Sequence, residues 1–87
     1  MKHAGQTTLD LLEPLLARVR NFPQLREKSR GVFYKKSKAY LHFHEDALGI
    51  FADLQVNGDW ERLLLAAPKD HEKLLTLIEK STANDAG

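Results

Sequence analysis

The stretch Phe51-Ala52-Asp53-Leu54-Gln55-Val56-Asn57-Gly58-Asp59-Trp60-Glu61-Arg62-Leu63-Leu64 decides how this chain folds. Asn-Gly suits the two central positions of a type I′ turn, which need positive φ at both residues. Apolar and polar residues alternate on either side of it, the period of a half-buried strand. Folded about Asn57-Gly58, the stretch predicts a hairpin in which Val56 faces Asp59, Gln55 faces Trp60, Asp53 faces Arg62 and Phe51 faces Leu64.

Working outward, the period of two persists from Val32 to Ala66. A four-residue loop over Glu45–Leu48 predicts His44 opposite Gly49, Phe43 opposite Ile50, His42 opposite Phe51 and Tyr40 opposite Asp53. A turn at Lys36-Ser37 predicts Phe33 opposite Tyr40 and Val32 opposite Leu41. Because successive strand residues point to opposite sides, these registers divide the sheet. One side takes Val32, Tyr34, Leu41, Phe43, Ile50, Ala52, Leu54, Leu63 and Leu65 and is expected to be the core. The other takes Phe33, Lys35, Tyr40, His42, His44, Phe51, Asp53, Gln55, Trp60, Arg62 and Leu64.

Helical spacing brackets the strands. Leu11, Leu12, Leu15, Leu16, Val19 and Phe22 form one apolar stripe, with Asp10 and Glu13 as an N-terminal capping pair and Pro14 in the first turn. An earlier start would place Pro14 inside the helix. Pro23 ends this helix after Asn21, and Gln24–Gly31 reads as a polar, basic connection. A second helix is expected over Lys69–Lys80, from His71, Leu74, Leu75 and Ile78 at i, i+3, i+4 and i+7. Pro68 suits its first turn, and Asp70 and Glu72 suit the positive end of its dipole. The expected fold is α+β, in the order α-β-β-β-β-α: a four-stranded antiparallel meander packed by an N-terminal and a C-terminal helix.

Eighty-seven residues fit a single small domain over 1–87, with polar ends at 1–8 and 81–87 expected to fray. The chain has no cysteine, so disulfides and thiolate metal sites are excluded. It has no apolar run of about 18 residues, and Met1–Gln6 has no apolar leader segment. The default expectation is a cytoplasmic protein. Net charge is +1, but Arg18, Arg20, Arg26, Lys28, Arg30, Lys35, Lys36 and Lys38 stand against Glu27 alone within residues 18–38. Such a block suits either a nucleic-acid or acidic-partner surface or a solvated loop and edge strand.

Gly31–Ser81 resembles a small bacterial family of luciferase-like domains. The resemblance rests on Leu41-His42-Phe43-His44, Ala52-Asp53-Leu54, Trp60, and Asp70 followed by Leu74-Leu75 and Ser81. It is also similar to the MmcQ/YjbR-like proteins. Either resemblance implies a small α+β domain, and neither implies a functional residue.

Three chemistries compete for the face opposite the core. His42 and His44, two apart on one strand, with Asp53 on the next, form a candidate metal set. The same three residues would center a small metal-dependent enzyme. No cofactor is otherwise implied. The serines, Ser29, Ser37 and Ser81, fall in a connection, a turn and a terminus, and no Gly-x-Ser-x-Gly or phosphate-binding loop occurs. Phe33, Tyr40, Phe51 and Trp60 with Lys35 and Arg62 would suit single-stranded nucleic acid, which stacks on aromatics beside a basic rim. The same aromatics suit protein contact. The leading expectation is a non-catalytic binding or assembly module, a homodimer or the binder of a protein partner, using Phe33, Lys35, Tyr40, His42, His44, Phe51, Asp53, Trp60 and Arg62.

Overall fold

The computed structural model describes residues 2–83. The order is β1 (Lys2–His3), α1 (Gln6–Val19), β2 (Leu25–Ser29), β3 (Val32–Lys35), β4 (Lys38–Asp46), β5 (Gly49–Val56), β6 (Asp59–Leu64) and α2 (Pro68–Ala83). The fold is α+β, and the antiparallel meander runs β2-β3-β4-β5-β6. The sheet therefore has six strands rather than four, because β1 adds to β4 through Lys2 opposite Glu45 and His3 opposite His44. The basic segment read as a connection is the edge strand β2. Its charges suit an edge, which must resist pairing with other chains. Gly31, at φ +79°, turns β2 into β3; a Cβ there would lie 2.7 Å from Leu9 Cδ2.

The 57–58 hairpin has the register its sequence dictates: Val56–Asp59, Gln55–Trp60, Asp53–Arg62 and Phe51–Leu64 are opposed. Asn57 and Gly58 take φ of 52° and 87°, as a type I′ turn requires. The β4–β5 hairpin is tighter than expected. Asp46 Oδ1 accepts the Leu48 N–H at 2.8 Å, and this Asx turn closes the loop on Ala47-Leu48 alone. Asp46 then faces Gly49, and every pair slips by two: Phe43 opposes Ala52, not Ile50, and His42 opposes Asp53. A slip of two leaves each side chain on its expected face.

The β3–β4 pairing breaks that rule. Lys35–Lys38 and Tyr34–Ala39 pair as a turn at Lys36-Ser37 demands, but Phe33 then pairs with Leu41. Tyr40 is the extra residue of a bulge, and one extra residue reverses β3 relative to the rest of β4. Phe33 and Tyr40, expected opposite the core, are both buried within it at 1% exposure. Val32 and Tyr34 turn to the other face. Lys35 also leaves the outer face: its Nζ lies 4.8 Å from the Tyr40 ring centroid, and the Tyr40 hydroxyl bonds Ser81 of α2.

Both helices pack on one side of the sheet. Leu9, Leu12, Leu15, Leu16 and Val19 of α1 and Leu74, Leu75 and Ile78 of α2 cluster with Phe33, Tyr40, Leu41, Phe43, Ala52, Leu54 and Leu65. Each of the leucine, isoleucine, valine and phenylalanine side chains, fully buried, contributes about 1.5–3 kcal/mol. Helix α1 starts before Asp10, so Pro14 lies within it. Asp10 and Glu13 are not caps; they bind Arg30, and Glu13 also binds Arg20. The cap comes from another element, since Glu45 Oε2 accepts the Gly5 N–H at 2.6 Å. Leu11, expected on the apolar stripe, is 70% exposed. In α2, Pro68 occupies the first position and Asp70 Oδ2 accepts the N–H groups of Ala66 and Ala67 at 2.8 and 2.9 Å. The ends expected to fray contribute β1, the first three residues of α1 and the last three of α2; residues 1 and 84–87 lie outside the described set. No helix among the described residues is long and apolar enough to cross a membrane.

Candidate functional site

The face away from the helices is built as two rows. In the first, His42 of β4, Asp53 of β5 and Arg62 of β6 lie side by side; in the second, His3 of β1, His44 of β4, Phe51 of β5 and Leu64 of β6 do. Trp60 stands on β6 opposite Gln55. Alternation aims these side chains outward because Leu41, Phe43, Ala52, Leu54 and Leu63 are aimed inward.

Asp53 organizes the first row. Its Oδ1 accepts Arg62 Nε at 2.7 Å and its Oδ2 accepts Arg62 Nη2 at 2.9 Å, the two-pronged geometry that suits guanidinium and carboxylate. His44 Nδ1 lies 2.8 Å from Asp53 Oδ2 without meeting hydrogen-bond geometry. The Arg62 hydrogen bonds, chiefly, hold the Asp53 carboxyl below its ordinary range against the cost of its burial. Asp53 therefore lies directly opposite His42 and reaches His44 on the diagonal, whereas the expected register put it opposite Tyr40 and diagonal to His42; the two-residue slip makes the difference.

The imidazoles gather at one end of this face. The His3 and His44 ring centroids are 4.7 Å apart, His3 and His42 5.8 Å, and His42 and His44 6.1 Å. The His42 ring also lies 5.4 Å from that of Trp60. Burial, and then the neighboring His3 and His44, lower the pKa of His42, so it favors the neutral form. An open hollow of about 550 Å³ lies beside them, lined by His42, His44, Asp53, Trp60, Glu61 and Arg62.

Of the nine residues expected on the binding face, six are there: His42, His44, Phe51, Asp53, Trp60 and Arg62. Phe33, Tyr40 and Lys35 are not, for the reason given by the bulge. The expected metal set of His42, His44 and Asp53 is brought together, but Arg62 occupies both oxygens of Asp53. The residue that sequence reasoning missed is His3. It lies in a short polar stretch with no strand signal, and only its pairing with β4 carries it to His44. Trp60 at 49% exposure and Leu64 at 47% are the large apolar groups left open on this face.

The basic block is less free than its charge suggests. Arg18 pairs with Glu72, Arg20 with Glu13 and Glu27, and Arg30 with Asp10 and Glu13. Lys28 Nζ sits 4.6 Å from the Tyr34 ring centroid. No family model, curated protein or solved structure matches the chain.

Proposed function

We propose that this domain is a non-catalytic assembly module that binds a second copy of itself through the outer face of β4–β6. One observation carries the reading. Leu64, opposite Phe51, and Trp60, four residues back along β6 with Arg62 between them, stand half-exposed on a sheet face that neither helix covers. An uncovered sheet face that carries tryptophan, phenylalanine and leucine suits a protein contact, where aromatics are enriched. The second copy is the favored occupant because the patch is balanced in charge. Asp53 and Arg62 neutralize each other within it, so the patch meets its twofold copy without net like-charge repulsion. Nucleic acid would need unpaired cations on this face, and its arginine, Arg62, is engaged by Asp53. Catalysis at His42, His44 and Asp53 would need a nucleophile or an open acid, and Asp53 is held by Arg62. A cytoplasmic location belongs to the same proposal, since a chain without cysteine suits a reducing compartment.

Solution mass tests the reading. The chain should run at twice its 9.9 kDa at both low and moderate salt, because apolar burial is not screened. Trp60→Ala should run as a monomer. A wild-type monomer that binds a labeled oligonucleotide at low salt and releases it at moderate salt would replace this reading with the nucleic-acid one.

A further inference from the structure

We propose that His3, His42 and His44 form a binding site for one divalent transition-metal ion of the zinc class, with Asp53 orienting His44 from behind. The site is complete within one chain, so it stands whether or not the outer face docks a second copy.

Convergence comes from the topology. His3 and His44 are directly opposed across β1 and β4, and His42 lies two residues along β4 on the same face. One ring nitrogen from each lies within 4.8 Å of the other two. Zinc–nitrogen bonds of about 2.0–2.1 Å place ligands of a tetrahedron roughly 3.4 Å apart. Side-chain rotation must close a gap of at most about 1.4 Å, and His3, the exposed member, has the room to make it.

A second, independent observation points to a ligand. His42 Nε2 is buried with no hydrogen-bond partner among the described residues, and His44 Nδ1, equally unbonded, lies 2.8 Å from Asp53 Oδ2. Buried polar atoms are rarely left so, and each such atom calls for an explanation. A metal ion at His42, and a rotation of His44 that aligns its Nδ1–H on Asp53, would satisfy both. Ligating imidazoles commonly present their other nitrogen to a carboxylate, which fixes the ring and raises its basicity. Asp53 stands 2.8 Å from His44 Nδ1 and is itself fixed by Arg62 at two points. Asp53 therefore acts as the orienting carboxylate and not as a ligand.

The ligand set selects the ion. Three neutral imidazoles suit zinc, cobalt, nickel or copper, whereas magnesium and calcium demand oxygen ligands. The hollow lined by His42, His44, Trp60 and Glu61 adjoins two of the three ligands.

The test is titration of the metal-free 87-residue chain with zinc chloride, followed by imidazole nitrogen NMR and by calorimetry. The ring nitrogens of His3, His42 and His44 should shift together and saturate at one equivalent per chain, while His71 on α2 stays still. This readout on the wild-type chain holds even where a variant fails to fold. His3→Ala, His42→Ala and His44→Ala, each checked for fold by circular dichroism, should lose binding, and His71→Ala should keep it. Asp53→Asn should weaken it about 10–100-fold, the usual effect of removing an orienting partner. The proposal is overturned if zinc leaves all three rings unmoved, or if binding survives in folded His42→Ala and His44→Ala. Unchanged affinity in Asp53→Asn overturns the role given to Asp53.

Discussion

The two faces of this sheet are made from the same strands, yet they differ in what finishes them. On the helix side, Leu41 and Leu54 are wholly buried, Phe43 nearly so, and α1 and α2 close over them. On the other side, against which neither helix packs, the same strands present His42, His44, Phe51 and Asp53, and β6 adds Trp60, Arg62 and Leu64. The first face is completed by the chain itself. The second is completed only in part, by one bidentate ion pair and three imidazoles. Burial in the chain's own core shows as stability, while the half-finished face should show in association and metal binding.

That contrast can be broken by matched substitutions. The largest effect on stability should come from Leu54→Ala, which empties a fully buried site and should cost about 2–5 kcal/mol in urea unfolding. Leu64→Ala, on the neighboring strand and 47% exposed, should cost the diluted chain less than about 1 kcal/mol. Equal losses would show that the two faces are not different in kind.

A smaller effect is expected from Asp53→Asn, about 1–2 kcal/mol at neutral pH, because half-exposed Arg62 is partly screened by water. The pH dependence gives the sign. The native carboxyl titrates below its unfolded value, so its contribution is full above about pH 4 and is lost as pH falls through the depressed native pKa. The wild type should therefore lose stability in that acid range more steeply than Asp53→Asn. Parallel acid limbs would remove the Asp53–Arg62 pair from the account.

His42 should give a weaker effect in a different window. Its native pKa is lowered, chiefly by burial, so the unfolded chain takes up the proton more readily. The contribution is complete above about pH 6.5 and declines as pH falls below it. His42→Phe should flatten that decline in urea unfolding curves of the metal-free chain. The least effect is expected from Glu13→Gln on the exposed helix surface. Hydrogen bonds from Arg20 and then Arg30 hold the Glu13 carboxyl at about 2, so its loss should appear only as a slightly gentler acid limb.

The sequence made the two faces legible wherever local chemistry set the register. Asn57-Gly58 admits essentially one turn, and all the pairs expected from it are present. The β4–β5 turn was harder, because Ala47-Leu48 carries no turn signal of its own and the Asp46 side chain closes it. The faces survived that slip only because it was even. At Tyr40 the slip was odd, and Phe33 and Tyr40 moved from the outer face into the core. A bulge stabilized by burying two large aromatics is a tertiary effect, and no local pattern announces it. β2 was hidden by its charges, and β1 by its length of two residues. His3 went unseen with it, so the pair His42 and His44 was legible while the third imidazole was not.

Trp60 is the chain's single tryptophan, so its fluorescence reports directly on the uncovered face. Acrylamide quenching should be measured along a dilution series, alongside sedimentation of the same samples. If a second copy covers this face, Trp60 should be shielded at high concentration and become fully quenchable over the range in which the mass halves. Quenching that stays the same at every concentration, while the mass changes or never exceeds that of one chain, would contradict the claim that β4–β6 is the assembly surface.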